Sequence, residues 1–129
     1  MNQLEQLEEL KNNQELFEEK FNNLNHDYIF ESREDSYNFI KEHPGLLLLL
    51  DEYAIYLKKY FPYGIFELSV SIDPEIITWK TLILYVKLDK KTYENGSYEL
   101  LTYMRRYYRP LRRKLNVMGE IVVISQTLR

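Results

Sequence analysis

Phe66-Glu67-Leu68-Ser69-Val70-Ser71-Ile72, then Asp73-Pro74-Glu75, then Thr81-Leu82-Ile83-Leu84-Tyr85-Val86-Lys87-Leu88 is the stretch that decides the fold. From Phe66 to Ile72 apolar and polar residues alternate strictly, which is the period of a strand with one buried face. In the second segment Leu82, Leu84, Val86 and Leu88 share one side, and Thr81, Ile83, Tyr85 and Lys87 the other. Asp73-Pro74 opens a turn, because the proline ring presets φ for the second turn position. The spacing predicts a β-hairpin running from Phe66 to Leu88, with Asp73-Pro74-Glu75 in its loop.

Toward the C-terminus, Asn95-Gly96 marks a turn, and a helix is expected from about Ser97 to Leu115. Leu100, Leu101, Met104, Tyr108, Leu111 and Leu115 make its apolar stripe. Pro110 should kink it or divide it in two, since it removes a backbone hydrogen bond and crowds the preceding turn. Asn116 and Gly119 end it. Glu120 to Ser125 reads as a third strand, apolar on both faces. A helical crossover makes it parallel to the second strand, and its apolarity suggests a central or well-covered position.

Toward the N-terminus, Pro44 suits a first helical position because its missing N–H would have no partner there. A helix from Pro44 to Phe61 carries Leu46, Leu50, Ala54 and Leu57 on one face. Leu46 to Leu50 wrap its whole circumference, so that end must be surrounded by the domain or by another subunit. Ser32, with Asp35 three residues on, signals a short helix through Ile40. Leu4, Leu7, Leu10, Phe17, Phe21 and Leu24 predict an amphipathic helix over roughly residues 3–24. Gln14 interrupts its stripe, which suits a packed helix better than a coiled coil.

The expected fold is therefore α+β: N-terminal helices followed by a β-β-α-β unit, with a small three-stranded mixed sheet packed with helices. Residues 1–129 are expected to form one domain, with an N-terminal amphipathic helix within 1–25 and a core over 44–125. If the uncovered side of the sheet is not met by the N-terminal helix, Ile83 and Tyr85 leave an apolar patch that predicts association.

Composition narrows the functions. Cysteine is absent, which excludes thiol catalysis and thiolate metal sites. Met1 to Glu5 show no basic region followed by an apolar stretch, and the longest apolar run is far too short to span a bilayer. A cytoplasmic location and no membrane partner are expected. The net charge is −3, yet residues 105–129 hold seven bases against one acid, while residues 1–60 hold thirteen acids against six bases. An acidic front and a basic tail suit either a polyanion-binding surface or two parts of one chain that attract each other.

Arg105, Arg106, Arg109, Arg112 and Arg113, with Lys114, fall within ten residues and are interleaved with Tyr103 and Tyr107. Arginine with aromatics is what single-stranded nucleic acid or phosphate binding would use. The alternative is a solvated helix face that pairs with the Glu-rich N-terminal helix and favours the helix dipole. Asp73 and Glu75 could hold a divalent metal, but their companions are missing and both are ordinary turn residues. His26 and His43 share no ligand spacing. No Gly-x-Ser-x-Gly turn and no phosphate loop is present. No catalytic, metal-binding or cofactor-binding residue is assigned, and no cofactor is expected. Trp79, Ile83 and Tyr85 form the candidate interaction face, with Trp79 either a lid over the core or an exposed anchor. The 12 tyrosines, against 6 phenylalanines and 1 tryptophan, offer contact area with a polar tip.

His43-Pro44-Gly45-Leu46, Tyr60-Phe61-Pro62 and the two strands parted by Asp73-Pro74-Glu75 resemble a group of short, uncharacterised prokaryotic α+β proteins. The resemblance covers His43 to Ile124 and implies a strand–Asp-Pro-Glu–strand core. It implies no assigned activity, so no functional residue is carried over. The sequence thus points to a non-enzymatic module that binds a protein partner or self-associates as a homo-oligomer. Nucleic-acid or other polyanion binding through the Arg105–Lys114 face is the alternative, disfavoured by the overall acidity.

Overall fold

The computed structural model describes residues 2–128. Over them the chain forms α1 (Gln3–Asn12), α2 (Gln14–Asn23), a 3-10 turn (Leu24–His26), β1 (Ile29–Phe30), α3 (Arg33–Glu42) and α4 (Gly45–Tyr60). There follow β2 (Ile65–Ile72), β3 (Lys80–Leu88), α5 (Lys90–Glu94), α6 (Ser97–Tyr107), α7 (Arg109–Lys114) and β4 (Ile121–Thr127). The architecture is mixed α+β, with helices packed on a sheet of strand order β1-β2-β3-β4.

The hairpin forms as its alternation requires. β2 and β3 pair antiparallel from Ile65 opposite Lys87 to Ile72 opposite Lys80. The Asp73 carboxylate accepts from the backbone N–H of Glu75 at 2.8 Å and of Ile76 at 2.9 Å, which gives it an ordinary turn-forming role. The sheet has four strands rather than three. The addition is β1, whose Ile29 and Phe30 run parallel to β2 opposite Glu67 and Leu68. Two residues are too few to show a period, so this strand left no pattern in the sequence.

β4 runs parallel to β3, with Leu82 opposite Ile121 and Leu88 opposite Thr127. It is an edge strand, not a central one, because β2 already occupies the other side of β3. Its two-faced apolarity therefore has a different meaning. Ile121 and Val123 face the core, whereas Val122 and Ile124 remain 46% and 38% exposed.

Local signals explain the helix boundaries. Asn13 adopts extended backbone, and its side chain accepts from the Leu16 N–H at 3.1 Å, so the expected helix over 3–24 is two helices. Gln14 then lies in no coiled-coil seam. Its side chain bonds Glu18 at 2.7 Å and the Tyr37 hydroxyl at 2.9 Å, tying α2 to α3. Pro110 divides the arginine-rich helix as expected, with the break at Tyr108.

The leucine run is absorbed by the chain itself. Leu46 to Leu50 are all buried, with α1, α3, α6 and α7 packed around α4. Gly45 permits a close approach to the residue that ends α7, since a Cβ there would lie 2.5 Å from the Leu115 carbonyl oxygen. The core extends from Leu7 to Val123 and includes Phe17, Phe21, Leu50, Tyr53, Leu68 and Leu84. Among the described residues no helix is long and apolar enough to cross a membrane.

Candidate interaction surfaces

The two faces of the sheet have different fates. Phe66, Leu68, Leu82, Leu84, Val86, Ile121 and Val123 point into the helical layer and are buried. On the other face, cross-strand pairing puts Ile29, Glu67, Tyr85 and Ile124 in one row, with Ser69, Ile83 and Val122 in the next. Ile29 is 54% exposed, and Ile83 and Tyr85 are half-buried among their neighbours. Polar groups on this face are satisfied locally: Glu67 pairs with Lys87 at 3.1 Å, and the Ser69 hydroxyl donates to Glu31. The result is a mostly apolar platform with no helix on it among the described residues, crossed by one ion pair and covered at Ser69 by the Glu31 side chain.

Trp79 does not join that platform. It sits between the strands of the hairpin, 64% exposed, and lines a separate cleft with Phe39, His43, Ile77 and Gly119. Of the three residues expected to form one face, the structure brings Ile83 and Tyr85 together and sets Trp79 apart. The His43 ring lies tilted against Phe39, 4.7 Å between ring centres, and His26 is exposed in the 3-10 turn. Among the described residues no three His, Asp or Glu side chains are grouped to hold a metal ion.

The basic stripe is divided. Arg112 is 9% exposed, and its guanidinium donates to the Arg105 carbonyl at 2.9 Å. Arg105 donates to the Val123 carbonyl at 3.0 Å and to the Thr102 hydroxyl at 3.1 Å, fastening α6 to the edge strand. These two arginines are structural in their contacts. Arg106, Arg109, Arg113 and Lys114 are exposed. The ion pairs among the described residues are Lys11–Glu8, Lys58–Asp27 and Lys87–Glu67, none of them from this stripe. The acidic α1 packs on α2 and α4 and forms no ion pair with the stripe among the described residues.

A second apolar feature lies between α4 and α6, a cleft of about 490 Å³. Its floor is fixed. The Tyr56 hydroxyl donates to the Leu100 carbonyl at 2.7 Å, and that of Tyr108 to the Glu52 carbonyl at 3.3 Å. Burial pushes both phenols above their ordinary pKa, so they stay neutral hydrogen-bond donors. Its walls are Tyr60, Tyr103 and Tyr107, at 41%, 72% and 71% exposure, with Lys59 on the rim 5.4 Å over the Tyr60 ring. The signal for this cleft was two tyrosine pairs at helical i, i+4 spacing, Tyr56–Tyr60 and Tyr103–Tyr107. Sequence alone could not show that the two pairs face each other.

Compared with known proteins, the chain matches no family model, no curated protein and no solved structure.

Proposed function

We propose that the chain is a non-enzymatic assembly module that pairs with a second copy of itself through the bare face of its sheet. The observation that carries this reading is the one-sided cover of the sheet: helices on one face, and on the other Ile29, Val122 and Ile124 exposed with Ile83 and Tyr85 half-buried between them. An apolar patch of a few hundred Å² is about the size of the largest one on a typical monomer, and such a patch is often a functional contact surface. A copy of the same chain suits it because the face is self-compatible. Its central charges, Glu67 and Lys87, cancel within the protomer, and the one carboxylate left over, Glu31, lies beside Ser69 toward the β1 edge. A two-fold dimer also presents the same patch from both sides, which is the commonest closed assembly.

The size of the face sets the strength. Strands about 4.8 Å apart, rising about 3.3 Å per residue, give β2, β3 and β4 over seven residues each, with the two residues of β1, a flat footprint of roughly 360 Å². That is below the ~800 Å² per partner of a standard interface, so the dimer should be of micromolar rather than nanomolar affinity. A cytoplasmic location fits a chain without cysteine.

Sedimentation velocity across the low to high micromolar range tests the reading. The expected result is a concentration-dependent dimer that Val122→Glu with Ile124→Glu converts to a folded monomer. A wild-type chain that stays monomeric throughout that range contradicts it.

A further inference from the structure

We infer that the tyrosine cleft between α4 and α6 is a binding site for single-stranded nucleic acid, with unpaired bases stacked on Tyr60, Tyr103 and Tyr107. This inference stands on the opposite layer of the molecule from the sheet face and does not depend on self-association. Three observations carry it. First, Tyr103 and Tyr107 hold their rings more than 70% exposed although the cleft floor beside them is apolar. Such rings are flat, sequence-tolerant surfaces for bases, and every base has a π-face.

Second, the charges are complementary to a phosphate backbone. The cleft lining contains Lys59 and no carboxylate, the nearest acids along the two helices, Glu52 and Glu99, lying one turn before Tyr56 and Tyr103. Arg106 lies one turn beyond Tyr103 on α6, and the exposed Arg109 follows at the start of α7. None of these three cations belongs to an ion pair among the described residues. Unneutralised cations beside aromatic rings are the combination that tracks a single strand. An uncharged peptide would leave them without partners.

Third, the floor is pre-organised. Tyr56 and Tyr108 are each held by a hydroxyl-to-carbonyl hydrogen bond, and Tyr107 rests edge-on against Tyr108 at 4.8 Å between ring centres. The cleft therefore need not be ordered when a ligand arrives. The division of the arginines supports the same site, since Arg105 and Arg112 are committed to the fold and the exposed ones remain for phosphate.

Fluorescence anisotropy of a labelled oligouridylate against the full chain tests the inference. The expected result is binding at low salt, weaker for a duplex of equal length because its bases are already stacked. With three phosphate contacts, affinity should fall about twentyfold between roughly 50 and 200 mM salt. Tyr103→Ala and Tyr107→Ala should each weaken it at least about fivefold, while Tyr103→Phe retains it. Val122→Glu with Ile124→Glu should leave it unchanged, which separates this site from the sheet face. No binding at low salt overturns the inference. So does binding that ignores both tyrosine-to-alanine changes, which marks a diffuse charge effect only. Capture of a proline-rich peptide without any oligonucleotide binding overturns it as well.

Discussion

Arg112 and Arg109 sit three residues apart in one basic run, yet the structure gives them opposite roles, and replacing each by alanine should separate them. Arg112→Ala removes a charge-assisted hydrogen bond to the Arg105 carbonyl at 2.9 Å, worth roughly 1.5–3 kcal/mol. It also removes a buried aliphatic stem, at about 0.8 kcal/mol for each methylene. Against this stands a gain, because the Arg112 Nε is buried without a hydrogen-bond partner among the described residues and its removal returns roughly 1–3 kcal/mol. The net expectation is a loss of about 2 kcal/mol. Arg112→Met keeps most of the stem and discards the unpartnered Nε, so it should cost under about 1 kcal/mol. Arg109→Ala is exposed and should change stability by no more than about 0.5 kcal/mol. Urea unfolding followed by far-UV circular dichroism reads all three. With an m-value near 2 kcal/mol/M, Arg112→Ala should lower the midpoint by about 1 M. If Arg112→Ala and Arg109→Ala unfold at the same midpoint, Arg112 is not part of the core, and the division of the stripe is wrong.

Three further outcomes follow from buried groups and one close approach. Tyr53 is fully buried and its hydroxyl has no partner among the described residues, so Tyr53→Phe should stabilise the chain by roughly 1 kcal/mol in the same urea assay; a loss of that size would show a hidden partner. Gly45→Ala would gain up to about 1 kcal/mol in an open helix, but here the new Cβ meets the Leu115 backbone, so a net loss of about 1–3 kcal/mol is expected. A melting temperature unchanged or raised would place α7 farther from α4. Burial raises the Asp51 carboxyl above its ordinary pKa, partly opposed by Lys20. The folded state then holds the proton to higher pH than the unfolded one, so this group's unfavourable contribution grows as pH rises through that window and is complete above it. Asp51→Asn should therefore stabilise the chain at neutral pH, and the difference from wild type should vanish in pH-dependent melts below the ordinary aspartate range. An equal gain at both extremes would show that the effect is not ionisation.

Features carried by local pattern were legible. The alternation of Phe66 to Ile72 against Thr81 to Leu88 specified the hairpin, Pro110 specified the helix break, and Pro44 the start of α4. What depended on distant partners was not. Leu46 to Leu50 required burial, but whether by this chain or another could not be read from five leucines; the packing of α1, α3, α6 and α7 supplied the answer. Glu120 to Ser125 looked central because both its faces are apolar, whereas its place at the edge depends on which side of β3 was free. The helical period put Arg105 and Arg112 with the exposed arginines, because a stripe on a helix says nothing of which stems fold inward over a neighbouring strand. Asn13 was a missed signal of a local kind: asparagine is a strong N-cap, and its side chain starts α2. The tyrosine cleft needed the approach of α4 to α6, which joins residues more than forty positions apart in the chain.

The most direct test of the central claim is the mass of the chain in solution. Sedimentation velocity of the wild type and of Val122→Glu with Ile124→Glu should show a micromolar dimer in the first and a folded monomer in the second. A wild-type monomer at every concentration, or a dimer that survives both glutamates, would mean that the bare face of the sheet is not where two copies meet.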